Sequence, residues 1–90
     1  MLDFTFSNRF KKDLDLMEKR RKNMDKLYDI MTLIIFEEPL PKHCREHILH
    51  GNLEGFWECH IEGDWIIIYD IDPINEMIYF SRTGTHSDLL

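Results

Sequence analysis

Long apolar runs are missing from this 90-residue chain. No stretch reaches the ~18 residues that a membrane-spanning helix needs. The opening "MLDFTFS" has neither the charged head nor the apolar run of a signal peptide. A cytoplasmic protein with no membrane partner is expected. Cysteine is scarce: Cys44 and Cys59 are the only two. Two cysteines do not make a disulfide framework, so both are expected as free thiols. Repeats and low-complexity segments are absent. Basic residues are scarce after residue 26. Residues 27–90 carry three Lys/Arg against twelve Asp/Glu, a net of −9. Residues 1–26 carry eight against five, a net of +3. The overall charge of −6 argues against a uniformly basic nucleic-acid binder. It permits a local basic face on an acidic body.

What is present is ordinary for a globular domain: 43% hydrophobic and 31% charged residues. Ninety residues make one domain, 1–90, with a single core. "LDFTFS" alternates and reads as a first strand. Ser7 is a natural helix N-cap, and Phe10, Leu14 and Met17 then recur at helical spacing. Arg9, Lys11, Lys12, Lys19, Arg20, Arg21 and Lys22 cover the rest of that helix. Asn23 can cap a second helix, whose stripe is Met24, Leu27, Tyr28, Met31, Ile34 and Ile35. The short connection predicts a helical hairpin. Residues 37–55 contain two prolines and two glycines with weak periodicity, which predicts a long loop. Three strands follow. "FWECHIE" puts Trp57, Cys59 and Ile61 on one face and Phe56, Glu58, His60 and Glu62 on the other. "WIIIYDI" is apolar on both faces and should be central. "MIYFSR" is the last. The expected fold is α+β, ordered β-α-α-β-β-β, with the hairpin on one face of a mainly antiparallel four-stranded sheet.

Five histidines fall between residues 43 and 86. His43, His47 and His50 lie in the loop, His60 and Asp64 flank a turn, and Arg82 and His86 follow the last strand. These clusters could converge on the sheet face opposite the helices. Taken singly, each residue is more often a solvated surface group. Cys44, His47, Cys59 and His60 form a nominal Cys₂His₂ set. Cys59 and His60 are strand neighbours and should point to opposite faces, so no metal is expected. Metal-free RNA cleavage is the other joint explanation. It needs a base for the 2′-OH, an acid for the leaving 5′ oxygen and a cation for the transition-state phosphate. Histidine titrates near neutrality, and the arginine fork fits phosphate oxygens.

Three motifs occur in order: H-x-L-x-G from His47, H-x-E-x-DW from His60 and "RTGTH" from Arg82. With the basic "FKKDLDLMEKRRKNMDKLYDIMTLI" before them, they cover nearly the whole chain. The chain resembles the YafQ branch of the RelE/ParE superfamily, ribosome-dependent mRNA interferase toxins of bacterial type II toxin–antitoxin pairs. The resemblance implies a RelE-like fold and an endoribonuclease without cofactors. It implies catalytic roles for His47, His60, Asp64, Arg82 and His86. Arg82 would bind phosphate and His86 would be the general acid, with the base open among His47, His60 and Asp64. Trp65 would be an adjacent aromatic contact, and Lys11, Lys12, Arg20 and Arg21 would approach RNA. The implied partners are a cognate antitoxin, the ribosome and mRNA, with operator DNA reached only through the antitoxin complex. The competing reading is a non-catalytic member of the fold that binds only an antitoxin-like partner.

Overall fold

Ser7 ends the first strand and starts the first helix. In the computed structural model, which describes all 90 residues, its Oγ accepts the Phe10 N–H at 2.9 Å and donates to the Ser81 carbonyl at 2.7 Å. Such a cap stabilises a helix by about 1 kcal/mol. The elements are β1 (Asp3–Phe6), α1 (Asn8–Lys19), α2 (Met24–Ile35), β2 (His47–Ile48), β3 (Trp57–Glu62), β4 (Trp65–Asp72), β5 (Met77–Thr85) and α3 (His86–Leu89). Short 3-10 turns occupy Lys42–Cys44 and Gly51–Leu53.

The sheet has five strands in the order β1-β5-β4-β3-β2, parallel only between β1 and β5. As its two-faced apolar pattern requires, β4 is central, with residues from Trp65 through Tyr69 all buried. Each fully buried isoleucine there contributes about 1.5–3 kcal/mol relative to exposure. The inward face joins Cys59, Ile61, Trp65, Ile67, Tyr69, Ile78 and Phe80 to the apolar sides of the helices. α1 lies along β5 and α2 over β3. No helix is long and apolar enough to cross a membrane.

The α+β class and the order of the long elements agree with the sequence pattern. Four details differ. The strand count is five, because β2 adds an edge strand inside the expected loop. Two residues are too short for a periodic signal, and β2 exists through its pairing with β3. The last strand runs on to Thr85, and His86 opens a helical turn. Thr85 and Asp88 form a reciprocal capping box, a spacing legible in "THSD". In α2 the buried stripe is Leu27, Ile30, Met31, Ile34 and Ile35, while Tyr28 stands exposed. Lastly, each helix packs chiefly on its own strand.

The segment before β3 is tied down by a contact to a core residue. The Tyr69 hydroxyl, wholly inside the core, donates to the Glu46 carboxylate. Burial first, and that carboxylate second, hold the phenol far above its ordinary pKa. Glu46 directly precedes His47, so the bond anchors the start of β2. Tyr69→Phe should lower stability by about 1.5–3 kcal/mol, the range for a hydrogen bond to a charged group. Urea unfolding measures it, and unchanged stability would show that Glu46 is not an anchor.

Candidate active site

Strand register assembles the site. Residues directly paired across a sheet share a face. His47 pairs with Glu58, Glu58 with Ile68, and Ile68 with Arg82. The next row is His60, Ile66 and Gly84. Both rows lie on the face away from the helical core, over a floor of buried Ile66 and Ile68. Gly84 lets α3 fold back over this face. A Cβ at that position would stand 3.0 Å from Asp88 Oδ2 and 3.1 Å from its Cβ. His86, the first residue of α3, thereby reaches the rows beneath.

Glu58 is the centre. It is 3% exposed, and its Oε1 lies 3.1 Å from His86 Nε2, 3.4 Å from His60 Nε2 and 3.9 Å from His47 Nε2. A carboxylate buried to this degree requires donors or a cation, since an isolated buried charge costs several kcal/mol. His86 supplies one donor through Nε2, and the rings of His47 and His60 close the oxygen off from water. Strand alternation puts Glu58 on the same face as His60, which was visible in the sequence. That His86 and His47 arrive over it from two other elements was not.

The histidines differ in their hydrogen bonds. His86 has carboxylates on both sides: Nδ1 meets Asp64 Oδ1 and Nε2 meets Glu58. Both nitrogens must donate, which is the imidazolium form. Asp64 foremost, helped by Glu58, raises the His86 pKa above its ordinary value. The reciprocal hydrogen bond from His86 holds Asp64 below the usual carboxylate range. In contrast, His60 Nδ1 donates to the Gly63 carbonyl at 3.2 Å and His47 Nδ1 to the Arg45 carbonyl at 2.7 Å. A carbonyl only accepts, so Nδ1 is the donor in each ring, and this turns Nε2 into the site.

The model of bacterial type II YafQ toxins matches residues 2–90. The chain belongs to the YafQ toxin family. The mRNA interferase toxin YafQ of Escherichia coli K12 is 41% identical over 88 residues, spanning 97% of this chain and 94% of that protein. The toxin in the crystal structure of the E. coli DinJ–YafQ complex superimposes with a TM-score of 0.91 at 40% identity, covering 100% and 99% of the two chains. A metal-bound toxin from Helicobacter pylori does so with a TM-score of 0.93 at 32% identity, covering both chains in full.

In this YafQ-family chain the fold gathers His47, His60, Asp64 and His86 around Glu58. Arg82 stands apart. Its guanidinium turns to α1, donating from Nε at 2.7 Å and Nη2 at 3.2 Å to Asp13. Trp65 is a correction to the expected aromatic contact. It is 1% exposed, and its indole N–H donates to Thr83 Oγ1 at 2.9 Å, so neither ring face is open to a base. Arg20 is likewise engaged, in a two-pronged pair with Asp88 at 2.7 and 3.0 Å. That pair raises the Arg20 pKa and holds Asp88 far below its ordinary one, and it ties α1 to α3. Lys11, Lys12 and Arg21 are exposed. Cys44 and Cys59 are buried free thiols in the helical core, on the opposite face from His60, so the Cys₂His₂ set does not assemble. A different set could hold a metal. One ligand atom each from Glu58, His60 and His86 lies within 4.8 Å of the others, a nitrogen-rich group suited to zinc or copper.

Proposed function

We propose that this chain, acting as one toxin domain, is an mRNA interferase that cuts messages on translating ribosomes. The observation that carries the reading is His86, held as an imidazolium between Asp64 and Glu58, beside His47 and His60, whose Nδ1 atoms are tied to backbone carbonyls and whose Nε2 atoms face the site. The ribose 2′-OH attacks its own 3′ phosphate. A base drawn from His47 and His60 takes the hydroxyl proton at Nε2. His86 gives its proton to the departing 5′ oxygen, and Arg82 stabilises phosphate charge. Asp64 orients His86 and keeps it charged. The products are a 2′,3′-cyclic phosphate and a 5′-OH.

Lys11, Lys12 and Arg21, on and just beyond α1, supply phosphate contacts to ribosomal RNA. The E. coli relative assembles with DinJ, and this chain pairs with an antitoxin of its own. That complex carries it to operator DNA in the cytoplasm. The assembled acid and bases favour this reading over a binding-only module, which needs none of them.

The test is induced expression in a bacterium, with primer extension on a translated message. Growth arrest and in-frame cuts are expected, and both should vanish in His86→Ala. Arrest that persists in the variant would remove His86 from the chemistry. A metal ion gives a second handle. Bound to Glu58, His60 and His86, zinc would occupy the nitrogens that move protons. Cleavage in a cell-free system should survive a zinc-selective chelator that spares the Mg²⁺ of the ribosome, and should be inhibited by added zinc. Loss of cleavage under that chelator, restored by zinc, would overturn the metal-free scheme.

A further inference from the structure

β1 covers only the first part of its neighbour. It pairs with β5 from Met77 to Phe80 and then turns at Ser7 into α1. The rest of β5 therefore presents an edge with no strand beside it, and edge N–H and C=O groups need partners. α1 supplies them. Ser7 takes the Ser81 carbonyl, and Asp13 Oδ2 accepts the Thr83 N–H at 3.1 Å.

Asp13 is out of place by the rules of a buried helix face. It sits between Phe10 and Met17 on the inward stripe of α1 and is 8% exposed. An apolar residue would cost less there, since a buried carboxylate must be paired on every side. Asp13 is so paired: it accepts the Thr83 N–H and two N–H groups of Arg82. A guanidinium has five donors in a rigid plane. Asp13 engages the Nε side of that plane and leaves Nη1 and the second Nη2 proton free. The side chain of Arg82 is 23% exposed and the protein has no buried side-chain nitrogen without a partner, so Nη1, which has none, is open to solvent.

We propose that Asp13 is a positioning residue that clamps Arg82 by its Nε side and aims the open end of the fork at the RNA phosphate. The inference rests on the reading of Arg82 as the phosphate-binding group. Asp13 touches no substrate. It fixes one rotamer of a long side chain in advance, so that the ordering entropy is spent on folding and not on binding RNA. Holding the Thr83 N–H at the same time locks the backbone from which Arg82 projects.

Single-turnover cleavage on ribosomes programmed with a defined message tests this, using wild type, Arg82→Ala, Asp13→Asn, Asp13→Ala and the double variant Asp13→Asn/Arg82→Ala. Asn keeps one acceptor for the Thr83 N–H and so guards against simple unfolding. Arg82→Ala should lose about 100- to 1,000-fold in rate. Asp13→Asn should lose about 10- to 100-fold. In the Arg82→Ala background the same Asp13→Asn change should cost less than about 2-fold, because the clamp has nothing left to hold. In ¹⁵N spectra a slowly exchanging arginine Nε–H signal should be present in wild type and missing from both Arg82→Ala and Asp13→Asn. Wild-type cleavage by Asp13→Asn, or an equal loss in both backgrounds, would overturn the proposal while leaving Arg82 in its role. Wild-type cleavage by Arg82→Ala would instead overturn the phosphate role itself, and the clamp with it.

Discussion

His86→Ala is expected to lower single-turnover cleavage by about 100- to 10,000-fold, the span for loss of one positioned acid or base. The pH profile makes the assignment sharper than the rate. An acid must be protonated to act, so its rate falls as pH rises through its folded pKa. His86 has that pKa raised above the ordinary 6.5, Asp64 being the largest cause. The alkaline limb of the wild-type profile should therefore lie above pH 6.5. Asp64→Asn removes the main cause, so the limb should move to lower pH while the protein stays folded. A limb that does not move would show that His86 is not the titrating acid. The stability of the pair has the matching signs. The share belonging to His86 is complete below about pH 6.5 and fades as pH rises through the folded value. The share belonging to Asp64 is present above about pH 3.8 and is lost as pH falls through its depressed value. Both side chains are substantially open to water, at 37% and 59%, so the activity profile is the more sensitive readout.

Loss of Glu58 should be the most damaging change to the site as a structure. Its side chain is 4% exposed and three imidazoles face one of its oxygens. Removing one partner of a buried ion pair typically costs about 3–5 kcal/mol, because the other charge is stranded. Here the stranded partners are histidines, which can shed a proton. Glu58→Ala is therefore expected to cost about 3 kcal/mol at pH 5, below the raised pKa of His86, and less at pH 8, as that ring sheds its proton. Urea unfolding at the two pH values measures this. A loss independent of pH would mean that Glu58 contributes packing alone. Cleavage should fall in Glu58→Gln as well. The amide keeps the shape but supplies no anion, so His86 is less readily held charged.

Much of this is legible in the amino-acid sequence alone. The period of 3.6 in α1 and α2, the caps at Ser7 and Asn23, and the two-faced apolar run of β4 are local signals written in neighbouring residues. The ordered motifs around His47, His60 and Arg82 pointed to the family. The alternation of β3 placed Glu58 and His60 on one face, and a Thr85-to-Asp88 spacing marked the final helical turn.

Local pattern determined which residues could share an element and a face; it did not determine which elements would meet. Strand alternation gave Glu58 a face but not its burial, which comes from β2 and α3 bringing His47 and His86 over it. Trp65 and Arg20 looked available and are used internally, by Thr83 and Asp88. Asp13 has no distinguishing local signal and is the partner of Arg82, 69 residues away. Each of these depends on a pairing between distant segments, whose energy appears only when the whole sheet closes. A buried charge is tolerable solely in the presence of its partner, and only the tertiary structure decides who that partner is.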